Sequence, residues 1–429
     1  MILALILFAV TYVLMLRLQQ YRPWVALCSA VLFIVLGEAG VYEFSLRAAL
    51  QAVDYNVLLM MAGTMGTVAL FIESKMPARL AEMLIVRVPD VKWAVCMLAL
   101  FAGVISAFVD NVATVLMVAP VGLAIARKLK ISPVPVIIAI AVSSNLQGAA
   151  TLVGDTTSIL LGGHMGLDFM DFFAYRGRPG LFWVVQAGAL MTVPVMLFLF
   201  RKEKGKLYGA ALTPVTDYLP TCLLLGTVLS LIAASFIPNK PEITNGLICM
   251  VFFLTGLAAE CGRYGTALAK DVLKAIDYET LALLAGLFLV IRGIERAGII
   301  DDLSHIITGM GGGNLFLTYT IIVWASVLIS AFVDNIPYTA TMLPVVGGVA
   351  AALGVDQTVL CFGLVVGATL GGNLTPVGAN ANIAACGILR REGYEVSAGQ
   401  FMRIGVPFTL MAVLTGYVLC WLFYAGLGV

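Results

Sequence analysis

Residues 106–111 read Ser106-Ala107-Phe108-Val109-Asp110-Asn111, and the same six residue types return at 330–335, from Ser330 to Asp334 and Asn335. Both copies lie deep inside apolar sequence, where a charged side chain is expensive to bury and is usually retained for function. The repeat therefore predicts two related halves, each with an acid at a position that either chemistry or hydrogen bonding must maintain.

The composition around these copies is that of a polytopic membrane protein. Of the 429 residues, 61% are apolar and 11% are charged, and apolar runs recur from Ile2 to the last residues. We interpret the first run, Ile2 to Leu16, as a retained helix, because no basic segment precedes it and no small-residue cleavage site follows it. A net charge of +1 without a basic block gives no indication of a nucleic acid partner. The eight cysteines are scattered and indicate neither disulfides nor a zinc site.

Apolar stretches between short polar loops predict an all-α fold, with five membrane-crossing helices and one broken apolar block in each half. In the first half we expect helices at about 2–16, 23–40, 54–73, 133–163 and 180–200, and a block at about 92–127 that is broken by Asp110-Asn111. In the second half we expect helices at about 219–237, 243–259, 277–294, 356–388 and 404–427, and a block at about 315–352.

The second half repeats the first at a nearly constant spacing. The offset is 224 for the pairs Asp110 and Asp334, Pro120 and Pro344, Thr151 and Thr375, and Gly154 and Gly378. It is 223 from Asp54-Tyr55 to Asp277-Tyr278, and 228 from Phe173 and Pro179 to Phe401 and Pro407. An offset that varies so little indicates an internal repeat.

The distribution of basic residues predicts the orientation, because Lys and Arg are concentrated in cytoplasmic loops. Placing both termini outside puts 19 of the 25 Lys and Arg residues, including Arg22, in the cytoplasm and leaves six outside. Each half contributes an odd number of crossings, so the second half enters from the opposite face. We therefore predict two inverted repeats, an architecture of secondary transporters whose site lies near the membrane midplane.

Two geometries are open for the broken blocks. Their arms, at about 93–108, 112–126, 316–332 and 336–351, are shorter than the roughly 20 residues that a full span needs. Complete helices would place Asp110 at the outer surface, and a re-entrant hairpin would place it near the middle. We favour one re-entrant hairpin in each half, because irregular backbone at membrane depth is tolerated where it lines a cavity.

Each half has a second polar break inside its fourth crossing, at 143–158 and at 371–382. Glycines there allow close backbone approach, and an unwound helix exposes carbonyls that can coordinate a cation and N–H groups that can hold an anion. The hairpin tips and these breaks together predict one polar chamber. The residues expected to bind substrate or ion are Asp110, Asn111, Thr114, Asn145, Gly148, Thr151, Gly154, Asp155, Asp334, Asn335, Thr339, Gly372, Asn373, Thr375, Gly378, Asn380 and Asn382.

A simpler interpretation of Asp110 and Asp334 is that each caps the second arm of its hairpin by accepting backbone N–H groups. Ser or Asn would cap a helix without burying a charge, so we expect function in addition to capping. Asp155 is replaced by Ala379 in the second repeat, which suggests that a coupling ion lies nearer the first half. We therefore expect a sodium site near Asp110, Asn111 and Asp155.

At these residues the sequence resembles the ion-transporter superfamily that contains arsenite efflux pumps, NhaD-type sodium-proton antiporters, the melanosomal P protein and citrate-transporter-like permeases. The matching motifs lie at 106–114, 148–155, 334–344 and 371–387, and the likeness covers nearly the whole chain. The resemblance is to the P-protein and arsenite-pump branch in particular. The chain departs from the P protein at Thr156-Thr157-Ser158, where the P protein has Pro-Pro-Asn.

The resemblance implies an elevator-type transporter in the plasma (inner) membrane of a prokaryote, in which a scaffold carries a moving body. The implied division is 1–91 (first scaffold helices), 92–200 (first transport part), 201–218 (cytoplasmic linker), 219–314 (second scaffold helices) and 315–429 (second transport part). Scaffolds of this kind often dimerise, and some arsenite pumps work with a soluble ATPase, so a homodimer and an ATPase are implied partners.

The leading hypothesis is a proton-coupled secondary transporter that expels a small inorganic solute, either arsenite or antimonite or sodium. Asp110, Asp334 and Asp155 would exchange protons for the solute, because a buried carboxyl can alternate between its protonated and charged forms. No cofactor is expected; the coupling ion is H⁺ or Na⁺, and the partners are a small solute and the lipid bilayer.

The alternative hypothesis keeps the same fold but changes the solute and the direction of transport: a sodium- or proton-coupled importer of citrate or a dicarboxylate. An acid at each tip disfavours such anions, since like charges repel strongly at close range in a low dielectric. A channel would need a polar stripe through several helices, and an enzyme would need a nucleophile-base pair or a metal motif; the sequence shows neither.

Overall fold

The computed structural model describes residues 2–42, 44–85, 88, 90–201 and 213–426. Most of the predicted linker, 202–212, and the predicted cytoplasmic Arg87 lie outside the described residues. The described residues are predominantly helical, and the strands among them form one antiparallel pair of two residues each, β1 (Ala174–Tyr175) and β2 (Arg178–Pro179). The predicted all-α class is confirmed.

Each half of the described chain contains ten α-helices. Those of the first half are α1 (Ile2–Arg17), α2 (Arg22–Glu38), α3 (Leu46–Ala52), α4 (Tyr55–Glu73), α5 (Met76–Ile85), α6 (Val91–Ser106), α7 (Asn111–Leu129), α8 (Pro133–Gly148), α9 (Thr156–Met165) and α10 (Leu181–Leu199). Those of the second half are α11 (Leu219–Ala234), α12 (Thr244–Tyr264), α13 (Thr266–Ala275), α14 (Tyr278–Arg296), α15 (Ile299–Met310), α16 (Leu315–Ser330), α17 (Asn335–Leu353), α18 (Thr358–Gly371), α19 (Asn380–Arg391) and α20 (Ala398–Trp421).

The predicted breaks in the fourth crossings are present. Helix α8 ends at Gly148 and α9 begins at Thr156, and in the second half α18 ends at Gly371 and α19 begins at Asn380. Helices α4, α6, α7 and α9 begin 223 or 224 residues before α14, α16, α17 and α19. The register of the sequence repeat is therefore kept by these helices.

Near the end of each half, residues matched in the sequence repeat no longer occupy equivalent places in the structure. Phe173 and Pro179 precede α10, whereas Phe401 and Pro407 lie inside α20. The expected start of the last helix, at 404, is also wrong, because a Ser397–Gln400 capping box begins α20 at Ala398. The offset of 228 is a sequence match without a structural counterpart.

Four short helices, α3, α5, α13 and α15, were not predicted. A search for long apolar runs passes over them, because each has only 7 to 12 residues. Helix α15 shows the reason: Ile299, Ile300 and Ser304 are buried, while Asp301 and Asp302 are exposed. It meets α16 at an angle of 113°, so the chain turns sharply before it enters the second hairpin.

By length and hydropathy, seven of the described helices could cross a membrane, or eight if the bent pair α15–α16 is one span. The second hairpin arms, α7 and α17, have 19 residues each and belong to this group. They are longer than the predicted arms at 112–126 and 336–351. Arm length therefore supports a re-entrant hairpin only through α6 and α16, which have 16 residues each.

The two halves pack into each other. Helix α4 packs against α12 and α2 against α14, while α7 contacts α19 and α9 contacts α17. The α4–α12 and α2–α14 contacts have glycines at equivalent positions. A Cβ on Gly63 of α4 would lie 2.4 Å from the backbone of Cys249, and one on Gly286 of α14 would lie 2.8 Å from that of Ala26. Small residues permit such close approach between apolar helices.

Each hairpin tip is fastened to the break of its own half by equivalent contacts. The Thr151 hydroxyl donates to the Ala107 carbonyl, and the Thr375 hydroxyl donates to the Ala331 carbonyl. A Cβ on Gly378 would lie 2.6 Å from the Gly372 oxygen and 2.7 Å from the Ser330 oxygen. These contacts fix the position of each tip beside its break.

We expect Gly378→Ala to lower the free energy of unfolding by roughly 1–3 kcal/mol, because the added methyl group would overlap two backbone carbonyls that cannot rotate away. Gly387→Ala on α19 is the matched control, since nothing lies within 4 Å of its added Cβ. Thermal unfolding of the purified proteins in detergent measures both. An unchanged Gly378→Ala midpoint would contradict the tight packing of tip against break.

Candidate functional site

The hairpin-tip aspartates are helix caps. Asp110 precedes α7, and its Oδ2 accepts the backbone N–H groups of Val112 at 3.0 Å and Ala113 at 3.2 Å. Asp334 precedes α17, and its Oδ1 accepts the N–H of Ile336 at 3.0 Å. The capping interpretation is confirmed in geometry. Capping leaves part of each carboxylate available for a further partner.

Asp155 likewise caps α9, the helix that begins after the first break. Its Oδ1 accepts the N–H of Thr156 at 2.8 Å, and its Oδ2 accepts the hydroxyl of Thr157 at 3.0 Å. The side chain is buried, and the Thr157 hydroxyl shares a hydrogen bond of 2.8 Å with that of Thr369. Ala379, at the equivalent position before α19, cannot cap in this way. The two breaks therefore differ by one carboxylate.

The two tips also differ in their partners. Nη1 of Arg22, the first residue of α2, lies 2.8 Å from Oδ2 of Asp334, and the Arg22 and Asp334 side chains are 14% and 6% exposed. Nε of Arg22 donates to the Met15 carbonyl at 3.3 Å. Asp110 has no basic partner among the described residues. Sequence reasoning used Arg22 only to count loop charge; its place between two short apolar helices was the available signal.

One cavity of about 440 Å³ lies between the tips and the starts of α9 and α19. The predicted site residues that line it are Asp110, Asn111, Asp155, Asp334, Asn335 and Asn380. The polar lining residues that sequence reasoning missed are Gln19, Arg22, Thr156, Asp277, Glu279 and Thr280. Among the described lining residues, five acids thus face one base, and the cavity is strongly acidic.

Eleven predicted residues are buried behind this lining. They are Thr114, Asn145, Gly148, Thr151, Gly154, Thr339, Gly372, Asn373, Thr375, Gly378 and Asn382. Their hydrogen bonds and close packing position the tips and breaks, as the Thr151 and Thr375 contacts show. Direct contact between these eleven and a ligand stays a prediction.

Buried amides connect the two halves behind the cavity. Nδ2 of Asn111 donates to Oδ1 of Asn145 at 2.9 Å, and Nδ2 of Asn145 donates to the Thr369 carbonyl at 2.7 Å and to Oδ1 of Asn373 at 3.1 Å. Asn373 in turn donates to the Val142 carbonyl at 2.9 Å. The network joins the first hairpin tip to the second break.

The second tip lacks this network. Thr369 stands at the repeat position of Asn145, and the side-chain nitrogen of Asn335 has no hydrogen-bond partner among the described residues. Asn335 is 2% exposed and lines the cavity. A buried donor without a partner is costly, so this amide is available to an oxygen atom of a ligand.

The acidic side chains alone do not form a metal cage. Within the described residues, no group of three or more His, Cys, Asp or Glu could hold a metal ion. A sodium ion near Asp110, Asn111 and Asp155 would therefore need amide or backbone carbonyl oxygens as further ligands, which the unwound break contains.

We expect Asn145→Ala to lower the free energy of unfolding, because it leaves the Asn111 amide and the Asn373 carbonyl oxygen buried with fewer partners, at about 1–3 kcal/mol per unsatisfied group. Thr255→Ala is the control, since that exposed hydroxyl bonds only within its own helix. Thermal unfolding in detergent compares them. Equal midpoints for the two variants would contradict a stabilising role of the amide network.

A family model and several known proteins match this chain. Residues 4–361 match the family described as "Citrate transporter". The chain is 30% identical over 432 residues to the "Uncharacterized transporter Rv2685" of Mycobacterium tuberculosis, covering 99% of both chains. It is 26% identical over 464 residues to the human P protein, covering 89% of this chain and 54% of the P protein.

Two solved structures share the fold. The YdaH transporter of Alcanivorax borkumensis has a TM-score of 0.64 at 14% identity, covering 94% of this chain and 98% of its own. MtrF of Neisseria gonorrhoeae, described as one of a class of antimetabolite efflux pumps, has a TM-score of 0.57 at 12% identity, covering 95% of this chain and 97% of its own. At such identities the likeness concerns the fold alone.

Proposed function

The chain belongs to the citrate transporter family of the ion-transporter superfamily, and within that membership we propose a proton-coupled secondary transporter that expels a small inorganic solute. The solute would bind in the cavity between the two hairpin tips. The single observation that carries this choice is the charge of the cavity, where five acids and one base line about 440 Å³.

An acidic cavity favours a cation or an uncharged polar solute over a carboxylate anion, because like charges repel strongly where the dielectric is low. Sodium fits the carboxylates and the exposed backbone carbonyls. Arsenite and antimonite, as uncharged hydroxides, would donate hydrogen bonds to the carboxylates and accept one from the Asn335 amide, which has no partner among the described residues.

Coupling follows from the same carboxyls. Asp110 and Asp155 line the cavity without a basic partner among the described residues, so a proton or a cation can neutralise them. Asp334 already faces Arg22 at 2.8 Å and would exchange protons only when that ion pair opens. Antiport requires such alternation, since each carboxyl must release its proton before it binds the solute.

We further propose that the halves are inverted repeats and that the body with the tips moves against a scaffold of α1–α5 and α11–α15. The repeated helix order and the packing of α2 on α14 and of α4 on α12 support this. The predicted orientation, with both termini outside in the inner membrane, puts Arg22 and the acidic cavity on the cytoplasmic side. A homodimer and a soluble ATPase stay predictions.

In everted vesicles, we expect sodium or arsenite to collapse a preformed pH gradient, and Asp110→Asn with Asp155→Asn to abolish the response, because no group is left to exchange protons in the first half. Asp301→Asn on the exposed face of α15 is the control and should respond as the parent protein does. A full response in the double variant, or in Asp110→Asn with Asp334→Asn, would overturn the mechanism.

The alternative function is import of an organic anion, which the description of the family favours. Uptake of radiolabelled citrate or succinate into proteoliposomes under a sodium or pH gradient tests it. We expect no uptake by the parent protein, because the acidic lining opposes a polycarboxylate. Gradient-driven uptake that Asp110→Asn leaves intact would replace the efflux proposal.

A further inference from the structure

A second cavity, of about 1100 Å³, is lined in part by the repeat counterparts of residues that line the first. The three pairs of equivalent lining residues, each separated by 223, are Ala52 and Ala275, Asp54 and Asp277, and Asn56 and Glu279. The start of α4 thus faces the second cavity as the start of α14 faces the first.

The two cavities differ in which part of the transport body they meet. The first is lined by both hairpin tips and by the start of α9, at Asp155 and Thr156. The second is lined by the end of α9 and the residues after it, including Gly163 and Asp168. The body that carries the tips therefore lies toward the first cavity, as expected for one of two end states.

Each cavity holds one largely buried base near the start of the second helix of its half. Arg22 is the first residue of α2 and lines the first cavity; Lys240 lies four residues before α12 and lines the second. Nζ of Lys240 lies 2.6 Å from Oδ1 of Asp168 and donates to the Ala234 carbonyl at 3.0 Å. The Arg22 and Lys240 side chains are 14% and 12% exposed.

These two bases stand apart from the others that form ion pairs. In the remaining pairs of the described residues, the base is between 37% and 79% exposed. Exposed pairs contribute little, whereas a buried base that loses its partner is strongly destabilising. Separating Arg22 or Lys240 from its acid is therefore more costly than separating an exposed pair, unless another acid takes the place of the first.

If the opposite end state exchanges the roles of the two halves, the ion pairs of the described state give the partners of each base in the opposite one. Arg22 of the first half binds the tip acid Asp334 of the second, so Lys240 of the second half would bind the tip acid Asp110 of the first. Lys240 now binds Asp168, and the residue 224 positions later is Glu392, a candidate partner for Arg22. Glu392, which directly follows α19, now pairs with Arg127 of α7.

We propose that Arg22 and Lys240 are positioning residues that hold the hairpin tips in the two end states of transport, Arg22 through Asp334 in the state described here and Lys240 through Asp110 in the opposite state. The proposal rests on the inverted repeats and the moving body of the proposed function. In each state one tip carboxylate is neutralised by a base of the protein and the other is open to a proton or a cation.

Chemical cross-linking tests the exchange in a background whose eight native cysteines are replaced, with a protease site inserted in 202–212 so that cleavage separates the halves unless a cross-link joins them. We expect a flexible bis-maleimide, which can span the length of the lost Arg or Lys side chain, to join the halves in Arg22→Cys with Asp334→Cys, in Lys240→Cys with Asp168→Cys, and in Lys240→Cys with Asp110→Cys. The first two pairs report contacts of the described state, and the third reports the exchange.

Asp110→Cys with Arg292→Cys is the matched control for random collision, because Arg292 lies toward the far end of α14 from Asp277, and we expect it to stay unjoined. Adding Arg22→Gln should raise the yield of the Lys240–Asp110 pair several-fold, and adding Arg22→Lys should not. The proposal is overturned if the first two pairs join while the third remains at the level of this control.

A second measurement separates positioning from a purely structural role. We expect Asp168→Asn to slow labelling of Val112→Cys by an impermeant thiol reagent in everted vesicles several-fold, because freed Lys240 recruits Asp110 and draws the tip away from the first cavity. Lys240→Gln should speed the labelling. If both variants change the rate in the same direction, Lys240 only stabilises the Asp168 segment and the proposal fails.

The two proposals fail separately. If the Lys240–Asp110 cross-link forms and neither sodium nor arsenite collapses the pH gradient, the exchange stands and the proposed solute is wrong. If the gradient response depends on Asp110 and this cross-link never forms, transport stands and the assigned roles of Arg22 and Lys240 are wrong.

Discussion

The structure depends on the need to satisfy backbone N–H and C=O groups wherever a helix is interrupted in apolar surroundings. Four interruptions meet here, two at the hairpin tips and two in the broken crossings. Aspartates cap three of the helices that restart, and glycines let the carbonyls of tip and break approach closely. Charge is therefore present at the centre of an apolar protein for a structural reason before any ligand arrives, and the same carboxylates are then available for chemistry.

Repetition accounts for the framework, and the departures from it account for the chemistry. The hydroxyls of Thr151 and Thr375 and the glycines beside them fasten both tips in the same way. Asp155 has only Ala379 as its counterpart, the Asn145 position becomes Thr369, and Arg22 pairs with one tip acid and not the other. An identical pair of halves would form a symmetric cavity; these substitutions give it a carboxylate-rich side and a side with a free amide donor.

Much of the fold could be predicted, since long apolar runs and polar interruptions are local signals. The breaks after Gly148 and Gly371 and the six lining residues from Asp110 to Asn380 follow from them. Short amphipathic helices such as α15 were not predicted, because half of their residues face outward and no long apolar run marks them. The role of Arg22 was not predicted for another reason. Its partner Asp334 lies 312 residues away, and the local sequence around either residue does not indicate such a contact.

The amide network also constrains the order in which the two halves can assemble during synthesis. Asn145 finds its partner Asn373 only 228 residues later, so the first half leaves the ribosome well before the groups that complete it exist. During that interval Asn145 can keep its hydrogen bond to Asn111, but its bonds to Thr369 and Asn373 cannot form. The amide network between the halves is therefore completed only after α18 and the residues that follow it have been synthesised.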